Sequence, residues 1–207
     1  MRADIFYKID VALNQININI FNSINHFAGS NAVLDKIGIF TAEYLPLFFI
    51  LVLGFLWFRN KEYKNLVLYC VYSAILGLSL NFLITLFYFH PRPFMDKIGV
   101  LLIKHAPETS FPSDHATFMF SVAFMLLYFK KTRITGIILS AVALIGGTAR
   151  VFVGVHYPFD IIGSLFVATL VSLIIFYSKS RLTRINDIIL STYSRITNNI
   201  LFKTRQK

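Results

Sequence analysis

Residues 65–89 read NLVLYCVYSAILGLSLNFLITLFYF, a run of 25 residues that contains no charged side chain. A helix needs about 20 mostly apolar residues to cross the hydrocarbon core of a bilayer, which is about 30 Å thick. The backbone of a lipid-embedded segment must make its hydrogen bonds within the protein, and a helix does so by itself. This run therefore predicts a membrane-spanning helix.

Four further apolar segments accompany the first one. They are residues 37–58, 116–129 (which we extend back to Ser113), 134–151 and 159–178. The chain of 207 residues is 56% hydrophobic and 14% charged, whereas soluble domains carry about 25% charged residues. This composition excludes a water-soluble protein. We predict an all-α integral membrane bundle of five transmembrane helices, built as a single domain over residues 1–207 with its core at residues 37–178.

Two flanking segments are more polar than these spans. In residues 5–27, Lys8, Asp10 and five asparagines interrupt apolar residues that recur every three or four positions. The apolar residues are Ile5, Ile9, Leu13, Ile16 and Ile20. This spacing predicts an amphipathic helix at the membrane interface, or a sixth crossing. After Lys179 a second interfacial or cytoplasmic helix is predicted from an apolar stripe formed by Ile185, Ile188, Ile189 and Tyr193.

The basic residues predict how the bundle is oriented. Thirteen of the 20 Lys and Arg residues lie in segments 59–64, 130–133 and 179–207, together with only two acidic residues. Short cytoplasmic loops carry such an excess of basic residues. We therefore expect a multi-pass protein whose C-terminus is cytoplasmic and whose loops 90–112 and 152–157 face outside. The clustering of the charge in short loops also argues against a nucleic-acid partner.

The two outer loops and their flanking helix ends hold most of the side chains that could carry chemistry. The first loop begins with HPRPF (90–94) and ends with SFPSDH (110–115), and the second is flanked by AR (149–150) and HYPFD (156–160). Four helix ends thereby carry Arg92, Ser113, His115, Arg150, His156 and Asp160 to one side of the bilayer. Since helices of one bundle can bring these ends together, we expect one site.

These residue types fit phosphoryl transfer, in which catalysis consists mostly of positioning and charge stabilisation. Arg92 and Arg150 have planar guanidinium groups, each of which can donate two parallel hydrogen bonds to phosphate oxygens. Ser113 can cap a helix start, where free N–H groups form an anion site. Asp160, four residues after His156, can bond one ring nitrogen and leave the other free to attack phosphorus.

Several other polar residues are candidates for further roles. His115 would protonate the leaving lipid-linked oxygen and later accept a proton from water. Glu43 lies inside an apolar span, where a carboxylate suggests function, although a structural role near the interface is an equal alternative. A functional Glu43 would contact the arginines or a diphosphate through water or a cation. Asn81 is expected to bond within the bundle, and three histidines are expected to be loop or surface residues: His26, His90 and His105.

The three segments resemble the signature motifs of the type 2 phosphatidic acid phosphatase superfamily. The family pattern is Lys, six residues, Arg-Pro; then Pro-Ser-Gly-His; then Ser-Arg, five residues, His, three residues, Asp. Here the matching residues are Arg92-Pro93, Pro112-Ser113-Asp114-His115, and Ala149-Arg150 with His156 and Asp160. The resemblance implies a phosphohistidine mechanism with His156 as nucleophile and His115 as acid–base. It also implies that the phosphate is held by Arg92, Ser113 and Arg150.

The chain departs from the family pattern at two positions. Thr85 occupies the lysine position, and Lys97 or Lys104 of the outer loop could supply the missing cation. Asp114 replaces a glycine and would repel phosphate unless it points away, toward the helix N-terminus. We count Asp114 among the phosphate-binding candidates, and Glu43, Thr85 and Lys104 as candidate substrate contacts. Both departures and the short chain resemble the bacterial undecaprenyl-diphosphate phosphatase branch of the bacitracin-resistance type.

The predicted activity is hydrolysis of undecaprenyl diphosphate to undecaprenyl phosphate and inorganic phosphate at the outer face of the bacterial cell membrane. Phosphatidylglycerol phosphate, phosphatidic acid and transfer of phosphate to another acceptor are alternatives of the same class. A lipid-phosphate binding or transport protein and a structural membrane subunit are alternatives of other classes. The expected partners are the lipid phosphate and membrane lipids. No cofactor or metal is expected, because the outer loops lack the ligand clusters that divalent ions need.

Overall fold

The computed structural model describes the backbone of residues 2–204 and the side chains of residue 5 and residues 7–198. These residues form six helices and no strand. The helices are α1 (Arg2–Asn25), α2 (Ala32–Trp57), α3 (Lys61–Phe87), α4 (Asp114–Leu127), α5 (Arg133–Phe152) and α6 (Pro158–Thr204). The predicted all-α fold is confirmed. Arg205 and Lys207, which contribute to the predicted cytoplasmic charge, lie outside the described residues, as does the side chain of Lys203.

Four helices are long and apolar enough to cross a membrane. They are Ala32–Trp57, Lys61–Phe87, Arg133–Phe152 and the Pro158–Asn198 part of α6. The remaining predicted span corresponds to α4, which is apolar but has only 14 residues. At 1.5 Å per residue α4 is about 21 Å long, which is shorter than the hydrocarbon core.

The short helix α4 lies at the centre of the bundle. It packs against α3, α5 and α6. Its Val122, Ala123, Met125 and Leu126 are fully buried. Because protein surrounds α4 on most sides, the helix forms the core on which the longer helices pack, and its N-terminus is held at a fixed depth among them.

The ends of α3 and α5 and the starts of α4 and α6 meet at one end of the bundle, which we call the motif end. Two links join these ends there, residues 88–113 and residues 153–157. The links are bonded to each other, since the amide of Leu102 donates to the carbonyl of Val153 over 3.0 Å. A side-chain cap fixes the start of α4, where the hydroxyl of Ser113 accepts a hydrogen bond from the amide of Ala116.

Helix α1 is present as predicted, but it uses a different face to pack on the bundle. The predicted apolar stripe is exposed, with Ile9 50% and Ile16 47% accessible, whereas Asn17, Phe21 and Asn25 are buried. Asn17 accepts a hydrogen bond from the amide of Phe159 at the start of α6. The asparagines therefore hold α1 on the protein, and the apolar stripe faces away from it.

The predicted separate helix after Lys179 is wrong, because α6 continues without a break from Pro158 to Thr204. No glycine or proline follows Gly163 in the sequence, so no residue type interrupts the helix. Its second half packs on the beginning of α3. There the Tyr72 hydroxyl donates to the buried Asn186 over 2.8 Å, and Lys61 pairs with Asp187.

Candidate active site

A cavity of about 400 Å³ opens at the motif end. Its walls are formed by the end of α3, the 88–113 link, the start of α4, the end of α5 and the 153–157 link. The lining residues are Phe82, Thr85, Arg92, His105, Glu108, Thr109, Pro112, Asp114, His115, Arg150 and His156. The structure thus brings the predicted arginines and histidines into one cavity, as a joint site requires.

His156 is held by Asp160 on one side and Arg92 on the other. Its Nδ1 lies 3.3 Å from Oδ2 of Asp160, and its Nε2 lies 3.3 Å from Nη1 of Arg92. Arginine can only donate, so the nitrogen that faces Arg92 carries the lone pair and the ring proton is on Nδ1. Nε2 is therefore the nitrogen that can act as a nucleophile.

Asp160 is positioned by three donors. The amide of Tyr157 donates to its Oδ2 over 2.7 Å, and the hydroxyl of Ser110 donates to the same oxygen. His156 is the third donor. Pro158 is the first residue of α6, a position at which its lack of an N–H costs no hydrogen bond. Because the helix starts there, His156 lies in the link before it and Asp160 lies in its first turn. The local sequence thereby fixes the distance between ring and carboxylate.

Arg92 is almost fully buried, and its guanidinium has fixed partners. Nη1 donates to the carbonyl of Val155 over 2.9 Å, and Nη2 donates to Oε1 of Glu108 over 3.2 Å. Arg150, from the last turn of α5, is also buried. Arg92 and Arg150 thus place two positive charges at the wall of the cavity. Glu43 of α2 is exposed and is not among the residues that line the cavity, so a substrate contact by Glu43 stays a prediction.

The start of α4 adds a helix N-terminus to the site. Ser113 is its N-cap, and the buried Ser164 of α6 donates to the carbonyl of Ser113 over 2.9 Å. Asp114 lines the cavity, but its Oδ1 accepts a hydrogen bond from the buried Asn81 over 2.8 Å. Asn81 thus bonds within the bundle, and its amide holds the Asp114 carboxylate toward α3.

Burial has the largest effect on the pKa of His156, the candidate nucleophile. It lowers the pKa of His156 from 6.5 to about 4, although the hydrogen bond and the charge of Asp160 act to raise that pKa. The ring is therefore neutral at pH 7 and its Nε2 is unprotonated. Burial also lowers the pKa of Arg92, but a guanidinium remains charged at any pH that an enzyme meets.

Comparison with known proteins identifies this arrangement. The sequence model of the PAP2 superfamily matches residues 65–184, more than half of the chain, and this stretch includes all three motifs. The chain belongs to the PAP2 superfamily. The resemblance that the motifs predicted is confirmed.

Individual relatives agree with the family match. Over 189 residues the chain is 37% identical to "Undecaprenyl-diphosphatase BcrC" of Bacillus subtilis (strain 168), covering 91% of this chain and 97% of that one. Over 193 residues it is 29% identical to "Bacitracin transport permease protein BcrC" of Bacillus licheniformis, covering 92% and 94%. The crystal structure of Aquifex aeolicus LpxE superposes with a TM-score of 0.67 at 26% identity, covering 78% of this chain and 95% of that one.

These findings confirm that the chain is a multi-pass membrane protein of a phosphatase superfamily. Among the side chains that the structure describes, those of residue 5 and residues 7–198, no three of His, Cys, Asp or Glu are grouped so that they could hold a metal ion. Independence from metal stays a prediction, because the family match and the geometry do not test it.

Compared with the PAP2 pattern, the structure leaves the family's lysine position without a cation. Thr85 lines the cavity, but its hydroxyl donates to the carbonyl of Phe82 in its own helix. Neither Lys97 nor Lys104 is among the residues that line the cavity. Lys97 occupies a turn with φ of 58°, and Lys104 is exposed. A substrate contact by Lys104 stays a prediction.

The structure adds three residues that the motifs do not indicate. Ser110 is fully buried between His156 and Asp160, whereas His105 and Glu108 line the cavity from the 88–113 link. Ser110 lies two residues before Pro112, the first residue of the second motif, and this proximity is the only feature of the sequence that could have indicated a place in the site. His105 and Glu108 follow no helical or motif spacing, so only the path of the link could place them in the site.

Proposed function

We propose that this chain is a lipid-phosphate phosphatase that hydrolyses undecaprenyl diphosphate to undecaprenyl phosphate and inorganic phosphate. The observation that carries the proposal is the environment of His156, whose Nε2 faces Arg92 in the cavity while its Nδ1 faces Asp160. This environment suits the acceptance of a phosphoryl group. The ring is neutral and Nε2 is free to attack, Asp160 bonds the other nitrogen, and Arg92 can stabilise the phosphate charge. The 37% identity to an undecaprenyl-diphosphatase supports this choice of lipid.

The first chemical step transfers phosphorus from the lipid to His156. Nε2 attacks the terminal phosphorus, a nitrogen–phosphorus bond forms, and the bond from phosphorus to the bridging oxygen breaks. The negative charge of the bound phosphate favours the protonated form of His115, which gives its proton to the departing oxygen of the lipid phosphate. The ring becomes positively charged as it is phosphorylated, and Asp160 stabilises that charge through the Nδ1 proton.

The second step releases phosphate and restores the enzyme. A water molecule attacks the phosphorus of phosphohistidine while His115, now neutral, accepts one of the water protons. The nitrogen–phosphorus bond breaks, inorganic phosphate leaves, and His156 is neutral again. In both steps the developing negative charge on the phosphate oxygens is stabilised by Arg92, Arg150 and the N-terminus of α4 that Ser113 caps.

The charge pattern supports an outside location for the site. Outside segments 59–64, 130–133 and 179–207 the chain has seven basic and eight acidic residues, whereas Lys61, Lys64, Lys130, Lys131 and Arg133 lie near the helix ends opposite the motif end. By the positive-inside rule the cavity faces outside and the end of α6 lies in the cytoplasm. The whole chain acts as one domain, and the lipid tail reaches the headgroup site sideways from the membrane.

Phosphate release by the purified protein in detergent, with EDTA present, tests this proposal. Undecaprenyl diphosphate, its monophosphate and phosphatidylglycerol phosphate are compared at equal concentration, with protein carrying His156→Ala as the background control. We expect the diphosphate to be hydrolysed fastest and EDTA to have no effect. Loss of activity with EDTA would contradict the metal-free mechanism, and preference for the glycerolipid would contradict the choice of substrate.

A transport function is the second candidate, because one relative is named a transport permease. A transporter would grip a lipid headgroup with the same arginines, but it would release no phosphate. The assay above separates the two, since binding of lipid without any phosphate release favours transport.

A further inference from the structure

His105 reaches the phosphate cavity from the 88–113 link. It lines the cavity together with Arg92, Arg150, His115 and His156. Its Nδ1 lies 3.2 Å from the carbonyl of Ala106, and a carbonyl can only accept, so Nδ1 carries a proton. A hydrogen bond from Nδ1 to the backbone of the same link therefore fixes the orientation of the ring.

Glu108 connects His105 to Arg92. Its Oε1 lies 3.2 Å from Nη2 of Arg92 and 3.6 Å from Nδ1 of His105. The Glu108 carboxylate thus accepts from Arg92 and lies beside the His105 ring at the wall of the cavity. The Glu108 side chain is 59% exposed, so it can move away from the cavity with little loss of packing. A phosphate oxygen has the same charge and the same preference for these donors.

The site lacks the cation that the family pattern has at position 85, where this chain has Thr85. Thr85 and His105 line the same cavity. The ring of His105 is only partly exposed, and burial, followed by the charge of Arg92, lowers its pKa. An approaching phosphate has the opposite effect, because a negative charge beside the ring favours the protonated form.

We propose that His105 is a substrate-binding residue that donates a hydrogen bond to the phosphate of the lipid, supplying the contact that Thr85 cannot. Glu108 accepts a hydrogen bond from Arg92 and lies beside His105; the phosphate competes with Glu108 for Arg92 and accepts a hydrogen bond from Nε2 of the protonated His105 ring. This inference deepens the proposed function and depends on it for the identity of the lipid, but the binding of phosphate by His105 can be tested separately.

The direct test replaces His105 by alanine in the full-length protein. We expect KM for undecaprenyl diphosphate to rise about tenfold, as one charge-assisted hydrogen bond is lost, while kcat stays within about twofold. The affinity for inorganic phosphate, measured by competition, should fall by a similar factor. Lys36→Ala removes an exposed cation near the same end and should change neither quantity.

A second variant separates binding from folding. In the His105→Ala background, Thr85→Lys adds a cation to the lining of the same cavity, and we expect KM to return to within about threefold of the original. This rescue could not occur if the alanine variant had merely misfolded. A His105→Ala protein with unchanged KM and phosphate affinity, a fall in kcat alone, or a Thr85→Lys variant without rescue would overturn the inference.

The two proposals fail in different ways. A parent protein that releases no phosphate from any lipid contradicts the proposed function, whatever His105 does. A parent protein that hydrolyses the lipid while His105→Ala binds inorganic phosphate normally contradicts only the role of His105.

Discussion

Replacing His156 by glutamine reduces phosphate release by at least about 10⁴-fold, on the scale seen when a catalytic nucleophile is removed. The amide of glutamine can take part in hydrogen bonds, but its nitrogen has no free lone pair with which to attack phosphorus. Arg92 and Arg150 remain in place in this variant. We therefore expect inorganic phosphate to bind with an affinity within a few-fold of the original, so that turnover is lost and binding is kept.

The matched control for this variant is His26→Gln. His26 is exposed in the turn after α1, and its ring contacts the carbonyl of Asn22 and the ring of the neighbouring Phe27, neither of which lines the cavity. The same substitution there should leave kcat and KM unchanged. If His156→Gln retained more than about a tenth of the activity, another group would have to be the nucleophile, and the proposed mechanism would be wrong.

Replacing Asp160 by asparagine gives the second large effect. We expect kcat to fall about 10²- to 10³-fold, as when an enzyme loses one group that stabilises the charge formed in the transition state. The amide oxygen can still accept from Tyr157 and from the Nδ1 proton of His156, so the ring keeps its orientation. What is lost is the negative charge that stabilises the phosphorylated, positively charged ring. Asp187→Asn, which breaks an exposed ion pair at the other end of the bundle, should have little effect.

The pH profile shows whether Asp160 acts through His156. The neutral ring is lost as pH falls through about 4, the pKa that burial gives to His156. Because Asp160 raises that pKa, its replacement lowers the pKa further, and the acid limb of kcat/KM should move to lower pH. Movement of the limb to higher pH would contradict the assigned role, as would a profile identical to that of the original protein.

Much of the fold was predictable from hydropathy, but helix α1 shows the limits of that reasoning. The apolar spans follow from composition alone. In α1 the sequence predicts an interfacial helix or a sixth crossing, but it does not show that Asn17 and Asn25 are buried and bonded to the motif end. Asn25 bonds the carbonyls of Val100 and Phe152. Periodicity describes one helix at a time and does not show which polar side chains have partners elsewhere.

The candidate site was predictable to the extent that its residues follow motif spacing. Arg92, His115, Arg150 and His156 were expected in one site, and they line one cavity. By contrast, His105 and Glu108 lie in a link with no regular structure, and the fold of that link depends on contacts with distant segments. Local patterns carry no information about such contacts.

The most direct test of the mechanism is to trap the phosphorylated enzyme. Protein carrying His115→Gln should still be phosphorylated by a lipid diphosphate, whose leaving group needs little help from an acid, but it lacks the base that activates water. After brief exposure to substrate labelled in the terminal phosphate, we predict an acid-labile, base-stable label on the peptide that contains His156, absent when His156 is also replaced. Product formation without any label on that peptide, or a label on another residue, would contradict the account.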